Sequence, residues 1–228
     1  MDLTRPAYMG DAAANRLPLR YLWDDTRCSR DFAADPAPVL EAAGPLSVRA
    51  RMALCIALYE WVVWRFDGLH DDPAPRQFLE AAWCASVDPR TIRFFELERN
   101  AWIGPVRGPL WCAITWLRAA LADGDAKPVE VIDGLQYLTR LALHVVPEPA
   151  RLQRWLALAL PRLRQHHPHR PEDPFVDLLG RRIGAHRGTL VGRDVFDPQA
   201  PYDQPRADRW VEELMRGARA TPNPFLAG

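Results

Sequence analysis

Residues Met52 to Phe66 read MALCIALYEWVVWRF, and thirteen of these fifteen positions are apolar. A surface helix sets an apolar stripe against a polar one, and a helix through this stretch has almost no side left for water. It predicts a central, enclosed helix and therefore an all-α protein. A membrane span would need about 20 apolar residues, whereas this run is interrupted by Glu60 and closed by Arg51 and Arg65. A second block, Leu110 to Leu121 (LWCAITWLRAAL), has only Thr115 and Arg118 as polar members and is expected to pack against the first.

The flanks sort into helices by the same criterion. Ser47 is placed to cap the central helix, and Asp67-Gly68 to end it. Residues 1–46 mix Tyr8, Tyr21, Trp23 and Phe32 with five prolines, which predicts an irregular arm carrying one or two short helices. Three-and-four spacing of Phe78, Leu79, Ala82 and Trp83 predicts a helix over 75–86. A further helix is expected from Pro89 to Asn100, burying Ile92, Phe95 and Phe94, followed by a rigid connection over 102–109. Helices are also expected over 128–146, over 149–166 with a kink at Pro161, weakly over 175–179, and over 206–218. The tail ATPNPFLAG should fray unless Phe225 and Leu226 find a pocket. The resulting picture is an irregular multi-helix bundle of stacked helical hairpins, one domain overall. Its arm is 1–46, its core 47–166 and its loop-rich C-terminal region 167–228. The Cys55 and Cys112 helices each end at Asp-Gly before an amphipathic helix, which suggests two degenerate hairpins side by side.

Composition excludes some classes. With 228 residues, 48% apolar and 10% aromatic, a real core is available. The 29 basic and 29 acidic residues cancel, so no global field draws the chain to nucleic acid or an anionic membrane. Only Lys127 among the basic residues is lysine, the mark of an arginine-favouring, GC-rich bacterial genome. No basic start leads into an apolar stretch at the N-terminus, so a cytoplasmic location is expected. Cys28, Cys55, Cys84 and Cys112 include no CxxC pair and are expected to be reduced, with no disulfide or zinc framework.

Glu60 is the residue most at odds with its surroundings, because a carboxylate on an enclosed helix must find a partner. Arg99, Arg107 and Arg118 are the expected candidates. Asp71 and Asp72 belong to an acidic interhelical loop and are candidate partner contacts. His70-Asp71 lacks the upstream histidine that a helical metal-dependent phosphohydrolase would need. His166, His167 and His169 read as surface histidines at a helix end, the intervening proline preventing a ligand face. Between Arg151 and Arg193 nine arginines face three acids, so Arg162, Arg164, Arg181 and Arg182 are candidate partner contacts. No GxSxG, Walker, dinucleotide, HExxH or DDxxD pattern is present, and no cofactor or metal is implied.

A full core, neutral charge and no catalytic constellation point to a non-catalytic protein that binds another protein, of the immunity, adaptor or chaperone type. The rival reading is an enzyme or small-ligand receptor with an interhelical pocket around Glu60; a weaker one is nucleic-acid binding through Arg151–Arg193.

Overall fold

Seven α-helices form the bundle in the computed structural model, which describes residues 3–10, 18–123, 128–170 and 187–227. They are α1 (Ala37–Ala43), α2 (Val48–Phe66), α3 (Ala74–Val87), α4 (Gly104–Asp123), α5 (Pro128–Val145), α6 (Pro149–His166) and α7 (Gln204–Ala220). No strand occurs among the described residues, only two isolated bridges. No helix among them is long and apolar enough to cross a membrane.

The enclosed helix is α2. Ser47 Oγ accepts the Ala50 amide at 3.2 Å, and Gly68, at φ 77°, turns the chain out after Asp67 in a conformation side chains resist. Every residue from Met52 to Phe66 is buried. The helix packs against α3, α4 and α5, and α4 against α5, so the two hairpins α2–α3 and α4–α5 lie side by side. The apolar stripes close the bundle as their spacing dictates: Phe78, Leu79 and Trp83 on α3, Val131, Leu135 and Leu138 on α5, and Leu152, Trp155 and Leu163 on α6 are all buried. Several polar groups drawn inside are answered. Arg49 Nε donates to Ser86 O at 3.0 Å and Arg65 Nε to Val145 O at 3.0 Å. The Trp155 indole donates to Phe196 O at 2.8 Å, while the indole N–H groups of Trp61 and Trp83 have no acceptor among the described residues.

Three expectations need correction. No helix spans 89–100: a 3-10 turn at Pro89–Thr91 gives way to extended chain, and Phe94 is 79% exposed rather than buried. Asp88 caps the turn, but the next backbone groups bond across to the C-terminal tail instead of along a helix. The stretch 102–109 is not a connection, because α4 already begins at Gly104 and takes in Pro109. Proline at 109 has no N–H to give the Pro105 carbonyl, and the Tyr21 hydroxyl donates to that carbonyl instead. The histidine tract is not uniformly on the surface: His167 is 2% exposed. The expected helix over 175–179 lies outside the described residues. The tail does find its pocket, as set out below.

Candidate functional site

Glu60 is fully buried and its partner is Arg193, not Arg99, Arg107 or Arg118. Arg193 Nε donates to Glu60 Oε2 at 3.2 Å and Nη2 donates to Oε1, a two-pronged pair. The Trp64 indole, one turn along α2, donates to Oε1 at 3.1 Å, and Arg193 Nη2 also reaches Thr4 O on the N-terminal arm. Burial works against the Arg193 charge, but Glu60 outweighs it and holds the guanidinium pKa above its ordinary value. Tyr8 closes the neighbourhood, stacked on Trp155 with centroids 5.7 Å apart. Burial first, then the Glu60 charge, keeps its phenol protonated well beyond the usual range. A cavity of about 320 Å³ outside Tyr8 is lined by Arg151, Arg154, Leu158 and Gln199, and Glu60 does not reach it. A carboxylate held by three donors and shut off from solvent offers no opening through which a substrate could reach it.

The three arginines expected at Glu60 serve other joints. Arg99 donates to Asp25 Oδ1 at 3.3 Å and lies over Trp111 at 4.7 Å. Arg107 pairs with Asp72 at 2.7 Å. Arg118 donates to Phe95 O and its guanidinium lies over the Phe95 ring, 5.5 Å from the centroid. Asp72 is further used to cap α3, accepting the Ala74 amide at 3.0 Å, so of the acidic loop only Asp71 remains exposed. Of the nine arginines from 151 to 193, Arg151 bonds to Glu148, Arg162 donates to Ala200 O, and Arg187 and Arg193 are drawn inside. Arg164 is exposed on α6; Arg181 and Arg182 lie outside the described residues. No metal-holding group of three or more His, Cys, Asp or Glu occurs among the described residues.

The C-terminal tail is seated at a different place. Asn223, Pro224 and Phe225 form a turn in which Phe225 N bonds to Asn223 Oδ1 at 3.0 Å and Leu226 N to Asn223 O at 3.1 Å. The Asn223 side-chain amide donates to Gln77 O at 2.9 Å and Glu80 Oε2 at 3.2 Å, both on α3. Phe225 enters an aromatic pocket, its ring 5.5 Å from Phe78 and 4.6 Å from Phe95, both edge-to-face. Backbone pairing completes the seat: Arg93 N donates to Phe225 O at 2.8 Å and Ala227 N to Thr91 O at 2.8 Å. Beside it a cleft of about 840 Å³ runs between α3, α7 and the tail, lined by Gln77, Cys84, Arg93 and Met215. The tail is thus held by two backbone bonds, one aromatic pocket and the Asn223 side-chain amide. The Asn-Pro dipeptide signals the turn in the sequence, but nothing in the pattern of 89–100 shows that it supplies the opposing edge.

Compared with known proteins, the chain matches no family model, no curated protein and no solved structure.

Proposed function

We propose that the protein works by binding another protein, without chemistry of its own, and that the groove of α3 and residues 91–95 is where it reads a short segment of that partner. The observation that carries this reading is the seating of Asn223–Ala227, in which an amide, an aromatic ring and two backbone amides are each met by a dedicated partner. The segment read is a turn of asparagine, proline and phenylalanine, and the protein's own tail holds the place until a partner competes for it. Reading one turn group by group suits an adaptor better than a chaperone, whose clients share no sequence. The sealed state of Glu60 removes the main support for the catalytic alternative.

The test uses a fluorescent peptide of sequence ATPNPFLAG and the full-length Phe225→Ala variant, whose own tail no longer fills the aromatic pocket. Anisotropy should show saturable binding to this variant and at least tenfold weaker binding to the wild type. A tethered tail competes at millimolar effective concentration. Replacing the peptide's phenylalanine by alanine should abolish the signal. If the variant keeps its helical circular dichroism yet ignores the peptide, the groove is ordinary tail packing and the reading fails.

A further inference from the structure

The cleft beside the tail is walled by α3, by Thr91 and Arg93, by the last turns of α7 and by the tail itself, and its volume is about 840 Å³. Sites for small organic molecules enclose about 300–1,000 Å³ and are mostly apolar, with a few placed polar groups. The wall here is of that kind. Met215 and Ala218 come from α7, Leu226 from the tail and the buried Cys84 from α3. Met215 is half-buried, and its unbranched side chain can follow the outline of an apolar guest.

Charge enters this wall from two elements. Arg93 belongs to the extended chain whose backbone amide is tied to Phe225 O at 2.8 Å, and Arg219 to the last turn of α7. Both side chains are exposed, both line the cleft, and neither meets an acceptor among the described residues. No carboxylate stands among the described residues of the wall. Glu80, one turn from both Gln77 and Cys84 on α3, is buried and accepts from the Asn223 side-chain amide instead. The C-terminal end of α7 contributes about half a negative charge, against two whole positive ones. The cleft is therefore cationic at its rim and apolar within.

We propose that it binds a small organic anion with an apolar body, of the medium-chain fatty acid class, whose carboxylate answers Arg93 and Arg219 and whose hydrocarbon lies along Met215, Ala218 and Leu226. A guanidinium is weakly hydrated and offers paired N–H groups that match a carboxylate, so two of them favour this head group over a hydroxyl or an amine. Because the seated tail is one wall of the cleft, the ligand enters without displacing Asn223–Ala227. The site is thus independent of whether a partner's peptide ever takes the tail's place, and a bound anion joins α7 to the chain at Arg93 across the tail.

Isothermal titration calorimetry of the full-length wild type with octanoate, octanol and octylammonium, at low salt and neutral pH, tests the assignment. Octanoate should fill one saturable site, and the neutral and cationic analogues should bind about tenfold more weakly or worse. The double variant Arg93→Gln with Arg219→Gln should keep its helical circular dichroism and lose about tenfold in octanoate affinity. Arg154→Gln with Arg164→Gln, exposed on α6 and outside this wall, makes the same change in net charge and should leave the affinity as it was. Absence of saturable heat with octanoate, equal affinity for octanol, or an equal loss in the two double variants would overturn the site.

Discussion

The ring of His167 lies between two hydroxyls, Thr189 Oγ1 at 2.9 Å from Nδ1 and Tyr202 Oη at 2.6 Å from Nε2. Tyr202 Oη in turn accepts Gly192 N at 3.2 Å, so one imidazole knits the end of α6 to the irregular chain between 189 and 202. Burial, with the neighbouring charges of His166 and Arg49, lowers its pKa to about 4, whereas the unfolded chain takes up that proton near the ordinary value of 6.5. The direction follows from linkage: a folded base with depressed pKa gives full stability above pH 6.5 and loses it progressively as pH falls toward 4. The gap corresponds to about 3 kcal/mol over that whole window. Urea denaturation of the wild type and of His167→Gln at a series of pH values from neutral to 4.5 checks this. The wild type should lose about 2 kcal/mol more than the variant on acidification, and parallel slopes would place the acid sensitivity elsewhere.

Helix α5 approaches α4 and α2 so closely at Gly134 that an added Cβ would lie 2.9 Å from Ala120 Cβ and 3.5 Å from Cys55 Sγ. Alanine in place of a helical glycine gains about 1 kcal/mol of propensity, but two methyl groups that cannot rotate away force the helices apart, at about 1–3 kcal/mol. Gly134→Ala should therefore be destabilising by roughly 1 kcal/mol in chemical denaturation. Adding Ala120→Gly should relieve the overlap and return most of the loss; a stabilised single variant would show that the crossing is looser than it is drawn. Elements governed by their own periodicity, α3, α5, α6 and α7, were legible in the sequence because the buried face repeats at helical spacing whatever it meets, and α2 was legible because its apolar run leaves no face for water. Those governed by a distant partner were not. The start of α4 depends on Tyr21 accepting the role that Pro109 leaves open, and the extended course of 92–95 depends on a tail more than 130 positions away. Glu60 was legible as a buried charge in need of a cation, but Arg193 opens a short 3-10 turn with no repeating pattern to mark it. His167 was misread for the same reason, since the chain that covers it comes from beyond residue 187.

Glu60, Arg193 and Thr4 come together across 133 and 189 positions of sequence, so one guanidinium ties the central helix, the C-terminal region and the N-terminal arm. Such a tie earns its stability only while both charges are present, because desolvating either one alone is the larger cost. Arg193→Met leaves Glu60 buried with only the Trp64 indole as donor and should cost about 3–5 kcal/mol. Replacing both residues, Glu60→Met with Arg193→Met, removes the stranded charge along with the attraction and should recover at least half of that loss. Denaturation followed in parallel by circular dichroism and by the fluorescence of the surrounding tryptophans measures both. Strictly additive losses would mean that water reaches the carboxylate once the arginine is gone. The seal would then be the guanidinium itself and not the arm's packing of Tyr8 against Trp61 and Trp155. A strongly non-additive cycle with a single shared transition requires instead that the three remote segments stand or fall with the one buried pair.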